Sequence, residues 1–270
     1  MSAPFRRAVS HLALLAGLFQ LVAGCANDPA DWGDSDEAVF EALAAAVAAP
    51  QRPAADRADD ANRKPAQVLA ALGMQPGMRV LDLLAAGGYY TEILSRAAGD
   101  RGSVLFHNNQ AYRDFIGVDV INQRTAGGRL PNVENLNSEL ADLGLRPGEL
   151  DAALLILGFH DLYLLVDDGS WPVIDPPALL QALFVALKPG GIFGIVDHAA
   201  VAGSDPYESA KGPHRIDQAF VQRVVADAGF VFEFESDVLR NPADDHLTTA
   251  FDESIRRRTD RFVLRFRKPR

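Results

Sequence analysis

The chain has 270 residues, 48% of them hydrophobic and 23% charged, an ordinary balance for a globular protein of one large or two small domains. Lys and Arg number 26 against 36 Asp and Glu, a formal net charge of −10, which works against sequence-independent nucleic-acid binding and against electrostatic docking on anionic lipid. A single cysteine excludes an intrachain disulfide and a cysteine-based zinc cluster.

Residues 1–24 read as an address. Arg6 and Arg7 form a short positive region, and an apolar run from Leu12 to Phe19 has the length of a signal-peptide core. Val22-Ala23-Gly24-Cys25 then resembles a bacterial lipobox. That resemblance implies cleavage before Cys25, acylation of its thiol, and a periplasmic protein held to the membrane by lipid alone. No aspartate follows the cysteine, which points to the outer membrane. An ordinary signal peptide, or a start site upstream of a cytosolic protein, stays open. Residues 25–64 are expected to form a tether and an N-terminal helix. Val39, Phe40, Leu43 and Val47 recur at helical spacing, Pro50 and Pro53 close the helix, and the charged run Asp56–Lys64 reads as a solvated linker.

From residue 65 to 270 the pattern alternates strand and helix. Gln67–Leu72 suits a helix ended by Gly73, and Met78–Leu84 a strand running into Ala85-Ala86-Gly87-Gly88. Tyr89–Ala98 suits a helix, and Gly102–Phe106 a second strand. Asp151–Leu157 is a continuous apolar run, as a central parallel strand buried on both faces requires. Asp175-Pro176-Pro177 caps a helix over 178–187, and Lys188–Gly191 turns into a strand at Ile192–Asp197. A helix over Asp217–Ala228 and two alternating strands, Phe230–Asp237 and Arg261–Arg267, complete the chain. Interleaved strands and helices predict a mostly parallel sheet covered on both faces, with ligands beyond the carboxyl ends of its strands. Glycines and polar groups gather at four such ends: Leu84–Gly88, His107-Asn108-Asn109, Gly158–Asp161 and Asp197-His198.

Val80-Leu-Asp-Leu-Leu-Ala-Ala-Gly-Gly-Tyr-Tyr-Thr-Glu92, Leu187-Lys-Pro-Gly-Gly-Ile-Phe193, Ala228-Gly-Phe230 and the two closing strands together resemble class I S-adenosylmethionine-dependent methyltransferases, and more narrowly a group of exported methyltransferase-like proteins. The resemblance implies an α/β, Rossmann-like, doubly wound, seven-stranded, mostly parallel sheet with a C-terminal antiparallel hairpin. It also implies S-adenosylmethionine as cofactor and Asp82, Ala86, Gly88, Tyr90, Asn108 and Gly158 as its contacts. Two departures stand out. The superfamily pattern is Asp-x-Gly-x-Gly-x-Gly, and Leu84 and Ala86 occupy its first two glycine positions. Strand two ends in His107-Asn108-Asn109, where an acid that grips the ribose hydroxyls is usual.

Methyl transfer is an in-line displacement to which the protein contributes positioning and sometimes a base. His160 is the candidate base with Asp161 as its orienter, and Asp197-His198 forms a second pair at the neighbouring strand end; each also reads as a structural group beneath a loop. His214 stands after a long loop over 199–213 that is placed to close on a substrate. No ligand spacing of the H-x-x-x-H kind occurs, so no metal is expected, although these His and Asp groups converging on Zn²⁺ or Mn²⁺ stays open. The expected activity is methylation of an unknown small molecule. The alternative is an inactive domain of the same fold that binds another ligand or an envelope partner.

Overall fold

The computed structural model describes residues 34–270; the expected signal segment 1–24 and the expected lipidation site Cys25 lie outside the described residues. The strands are β1 (Arg79–Leu83), β2 (Ser103–His107), β3 (Val133–Leu136), β4 (Leu150–Ile156), β5 (Leu187–His198), β6 (Val231–Ser236) and β7 (Arg261–Arg267). They form one sheet in the order β3-β2-β1-β4-β5-β7-β6. The first five run parallel, while β7 runs antiparallel to both β5 and β6. This is the class I methyltransferase architecture expected above.

Alternation along the strands splits the core into two layers, because successive side chains point to opposite faces. Leu81, Leu83, Leu105, Ala153, Leu155, Phe193 and Ile195 pack on one face with the inner residues of helices α7 (Pro176–Ala186) and α9 (Gln218–Asp227). Val80, Val104, Ala152, Leu154, Ile192 and Val196 pack on the other with α1 (Asp34–Ala48), α3 (Pro65–Ala71) and α4 (Tyr89–Ala98). Asp175 caps α7 through a side-chain bond to the Ala178 amide, and the prolines occupy the first turn, where free amides are unneeded. Asp217 caps α9 through the Ala219 amide in the same way.

Three segments differ from expectation. The charged run is not a solvated linker: it is helix α2 (Ala54–Arg63), with Asp59 buried. Its acids and bases fall at helical spacing and pair outward, Asp60 with Arg52 and Asp56 with Arg124. The stretch between β2 and β4, assigned no element from sequence, holds α5 (Gln110–Ile116), α6 (Val118–Thr125) and the edge strand β3. The loop expected over 199–213 contains the short helix α8 (Pro206–Lys211), capped by Asp205. Among the described residues no helix is long and apolar enough to cross a membrane.

Candidate active site

A cleft of about 710 Å³ opens over the carboxyl ends of β1, β4 and β5. Asp82, Leu84, Ala86, Tyr90, His160, Asp161, His198 and His214 all line it. Gly88, Asn108 and Gly158 do not, and Gly87 stands at the floor in place of Gly88.

The floor is built by an unusual backbone. Leu84, Ala86 and Gly88 have φ of 51°, 52° and 77°, so every position where the superfamily pattern has glycine takes the left-handed conformation, including the two that carry side chains. Such a conformation is strained by roughly 1–2 kcal/mol in a residue with a Cβ and persists only where neighbours over-determine it. Here the end of β2 does so. The Leu84 amide lies 3.3 Å from His107 Nδ1, and the Ala85 amide donates to the His107 carbonyl at 2.9 Å. Asn108 staples Ala86 at both ends: its Oδ1 accepts from the Ala86 amide at 2.9 Å and its Nδ2 donates to the Ala86 carbonyl at 3.0 Å. Asn109 caps α5 through the Tyr112 amide. Asn108, expected to face a sugar, and its neighbours His107 and Asn109 are therefore sealed beneath the loop, none more than 1% exposed. Leu84 is buried in the core cluster that includes Tyr112 and Phe159, and it lines the cleft without filling it. A Cβ on Gly88 would stand 2.8 Å from Arg124 Cγ and 3.0 Å from the Phe106 ring, so this glycine is needed for the protein's own packing.

Because Ala86 holds a left-handed φ with no large side chain to lose, Ala86→Gly is expected to raise stability by about 0.5–1 kcal/mol. A urea midpoint unchanged or lowered relative to wild type would show that the loop is unstrained.

Asp82 is 2% exposed and accepts a 2.6 Å bond from the Thr91 hydroxyl. Burial pushes its carboxyl up to about 7, against the lowering effects of Thr91 and the Arg124 charge. His107 moves the opposite way, to about 4, because burial disfavours its cation; its Nε2 donates to the Ser138 carbonyl at 2.9 Å. A carboxyl raised in the folded state contributes stability that is fully present below its unfolded value of 3.8 and is lost as pH rises toward 7. A histidine depressed to about 4 contributes stability present above 6.5 and lost as pH falls below it. The two slopes oppose each other between pH 4 and 6.5. Asp82→Asn removes one of them. The variant is expected to match wild type near pH 4 and to exceed it by about 1–3 kcal/mol at pH 8, read from urea midpoints across that range. A difference that stays constant with pH would refute the assignment.

The other half of the cleft is a histidine–carboxylate cluster. A 3₁₀ turn over His160–Tyr163 directly follows β4 and presents His160 and Asp161. Asp197, fully buried at the end of β5, accepts from His160 Nδ1 at 2.8 Å and from the His160 amide at 2.9 Å. Tyr112 donates its hydroxyl to Asp161 Oδ2 at 2.6 Å, and Asp161 Oδ1 stands 3.4 Å from His160 Nε2. Burial disfavours a cation at His160, but the charges of Asp161 and Asp197 outweigh it and hold the imidazole up at about 9. His160 is therefore protonated at neutral pH in this arrangement, the reverse of what a general base needs. Asp197, expected to pair with its neighbour His198, pairs with His160 instead. His198 is pushed down to about 3, by burial first and by the His160 cation among others, against the raising effect of Asp197. Its Nδ1 lies 2.6 Å from Thr259 Oγ1. His214 reaches the same place because residues 214–216 lie against the end of β5: the Ile216 amide donates to the His198 carbonyl and the Ala200 amide to that of Ile216.

Sequence reasoning missed the walls. Asp56, Asp59 and Arg63 enter from α2, Phe115, Val120 and Arg124 from α5 and α6, and Trp171 and Phe251 from loops. The i,i+4 spacing of Asp59 and Arg63 carried a helical signal; the aromatic contributions had none.

No family model and no curated protein matches the chain. Solved structures do. An S-adenosylmethionine-dependent methyltransferase from Aquifex aeolicus superposes with a TM-score of 0.53 at 21% identity, over 74% of this chain and 87% of that one. The [4+2]-cyclase SpnF superposes at 0.52 and 18% identity, over 86% and 93%. Fibrillarin from Aeropyrum pernix, in complex with natively bound S-adenosyl-L-methionine, superposes at 0.50 and 14% identity, over 77% and 76%. At these identities the likeness is one of fold, the class I methyltransferase fold.

Proposed function

We propose that the protein is an S-adenosylmethionine-dependent methyltransferase acting on a small molecule. The observation that carries this reading is the cleft itself, which opens where the fold binds its cofactor and has a floor that is left-handed at all three glycine positions of the superfamily motif, although two of them carry side chains. Its volume, about 710 Å³, falls within the roughly 300–1,000 Å³ of small-molecule sites. Asp82, Ala86 with Gly87, and Tyr90 would hold the cofactor, against the apolar walls of Phe115, Val120 and Trp171. No acid stands at the end of β2, so the carboxylates that face the cleft come from Asp82, Asp161 and helix α2. When bound, the cofactor supplies an electrophilic methyl group. The chain supplies positioning, and Asp161 and His198 meet the acceptor from the opposite half of the cleft.

Isothermal calorimetry with S-adenosylhomocysteine tests the reading. Saturable binding that is weakened by Gly87→Val, which puts a side chain on the floor, supports it. No binding at millimolar ligand overturns it and leaves the second reading, which the sealed β2 end favours: a domain of this fold that takes a different ligand. We further infer from the lipobox resemblance that Cys25 anchors the protein to the membrane in the periplasm. Cys25→Ser is expected to release it to the soluble fraction, and an unchanged distribution would reject the anchor.

A further inference from the structure

We propose that His160, Asp161 and His214 form a binding site for a first-row divalent cation of the Zn²⁺ or Fe²⁺ class, with positions left open toward the cleft. One donor atom from each of the three residues lies within 4.8 Å of the other two. They come from two separate parts of the chain, the turn after β4 and the segment after α8, so chain proximity alone does not explain the meeting of all three.

The surroundings select which atom of each residue faces the centre. Asp197 takes His160 Nδ1 at 2.8 Å, which leaves Nε2 as the atom to bind the ion, whose arrival displaces the Nε2 proton. A buried carboxylate on the far nitrogen of an imidazole is the arrangement that orients a ligating histidine and raises its basicity. The Tyr112 hydroxyl takes Asp161 Oδ2, which leaves Oδ1 beside His160 Nε2 at 3.4 Å. Two donors bound at about 2.1 Å to one ion stand roughly 3.0–3.5 Å apart, so this pair is already at ligand spacing. His214 holds a φ of 53°, a strained backbone for a residue with a side chain, and its ring meets those of His160 and Phe251 at 5.8 and 4.7 Å. Arg215 pins that backbone from below through its bonds to Asp244 and to the Ala199 and Thr248 carbonyls.

Two imidazoles and one carboxylate suit Zn²⁺ and Fe²⁺ better than Mg²⁺ or Ca²⁺, which prefer all-oxygen shells. Three protein ligands are the number that leaves room for an exogenous oxygen. The open side faces the cleft, so the bound ion would take an oxygen atom of the molecule that enters there.

Cobalt serves as the probe. Full-length protein stripped with chelator is titrated with Co²⁺, and visible d–d absorption is followed. One equivalent is expected to saturate the bands at micromolar protein. His214→Ala and Asp161→Asn are each expected to abolish stoichiometric binding, with far-UV circular dichroism unchanged for His214→Ala. Asp197→Asn is expected to weaken affinity about 10–100-fold by loosening His160 rather than removing a ligand. His246→Ala, at a separate His–Asp pair with Asp260, is expected to leave the titration unchanged. Absence of saturable bands, or bands that survive in the His214→Ala/Asp161→Asn double variant, would overturn the site. The calorimetry with S-adenosylhomocysteine is run on metal-stripped protein, so this inference and the proposed activity fail separately.

Discussion

Glu92→Gln is expected to lower stability by about 3–5 kcal/mol, with a fall in melting temperature of roughly 6–20 °C for a chain of this size. The side chain of Glu92 is fully buried on α4, yet it is the common partner of three guanidiniums. Arg96 reaches it at 2.8 Å from the next turn, Arg124 at 2.8 Å from α6, and Arg129 at 2.6 Å from beyond it. Those charges hold the glutamate carboxyl below its usual value against the opposing effect of burial. Arg124 also pairs with Asp56 at 2.6 Å and donates to the Gly87 carbonyl, so the hub joins α2, α4, α6 and the floor of the cleft. Glutamine keeps the shape but withdraws the charge and turns an amide donor toward a cation. A buried pair that loses one partner leaves the other uncompensated, which is why the single change is so damaging even where the intact pair adds little. The check is a urea titration of both proteins. A loss below about 1 kcal/mol would mean that the arginines swing out to water. The same variant is expected to weaken ligand binding in the cleft, since Arg124 lines its wall.

Arg215→Leu is the second large effect, again about 3–5 kcal/mol. Arg215 and Asp244 have fully buried side chains and form a two-pronged pair at 2.8 and 2.9 Å. Asp244 also accepts from the Asp260 amide, so the pair ties the 241–260 loop to the end of β5. Asp244→Leu is expected to be as damaging. The double variant is expected to lose less than the sum of the two, because it leaves no unpaired charge. Additive losses would show that the two residues act independently. Next to Arg215 stands His214, so these variants are also expected to loosen the histidine–carboxylate cluster.

The candidate site was legible in its parts and not in its wiring. His160, Asp161 and His198 could be singled out because they stand at or just past strand ends at the carboxyl edge of a parallel sheet, a position set by topology, and Asp82 because of the motif resemblance around it. Their partners could not. Asp197 precedes His198 in sequence, yet its carboxylate turns to His160, because the strand end places it beside the 160–163 turn. Asn108 was legible as an unusual residue at the ribose position, but its amide closes on Ala86. That use follows from the left-handed backbone of Ala86, which no local pattern announces.

By itself the sequence determined six of the seven strands and the helices α1, α3, α4, α7 and α9, the buried central strand, the proline-led cap of α7 and the two alternating strands that close the chain. Each of these is written in periodicities of two or 3.6 residues, or in the chemistry of a few adjacent positions. The tertiary structure alone decided that a charged segment becomes a cleft wall, that Leu84 is buried without filling the cleft, and that two histidines and an aspartate from distant segments meet at one point. Those outcomes depend on which surfaces come together when the sheet closes, and contacts between distant residues leave no period in the chain that makes them.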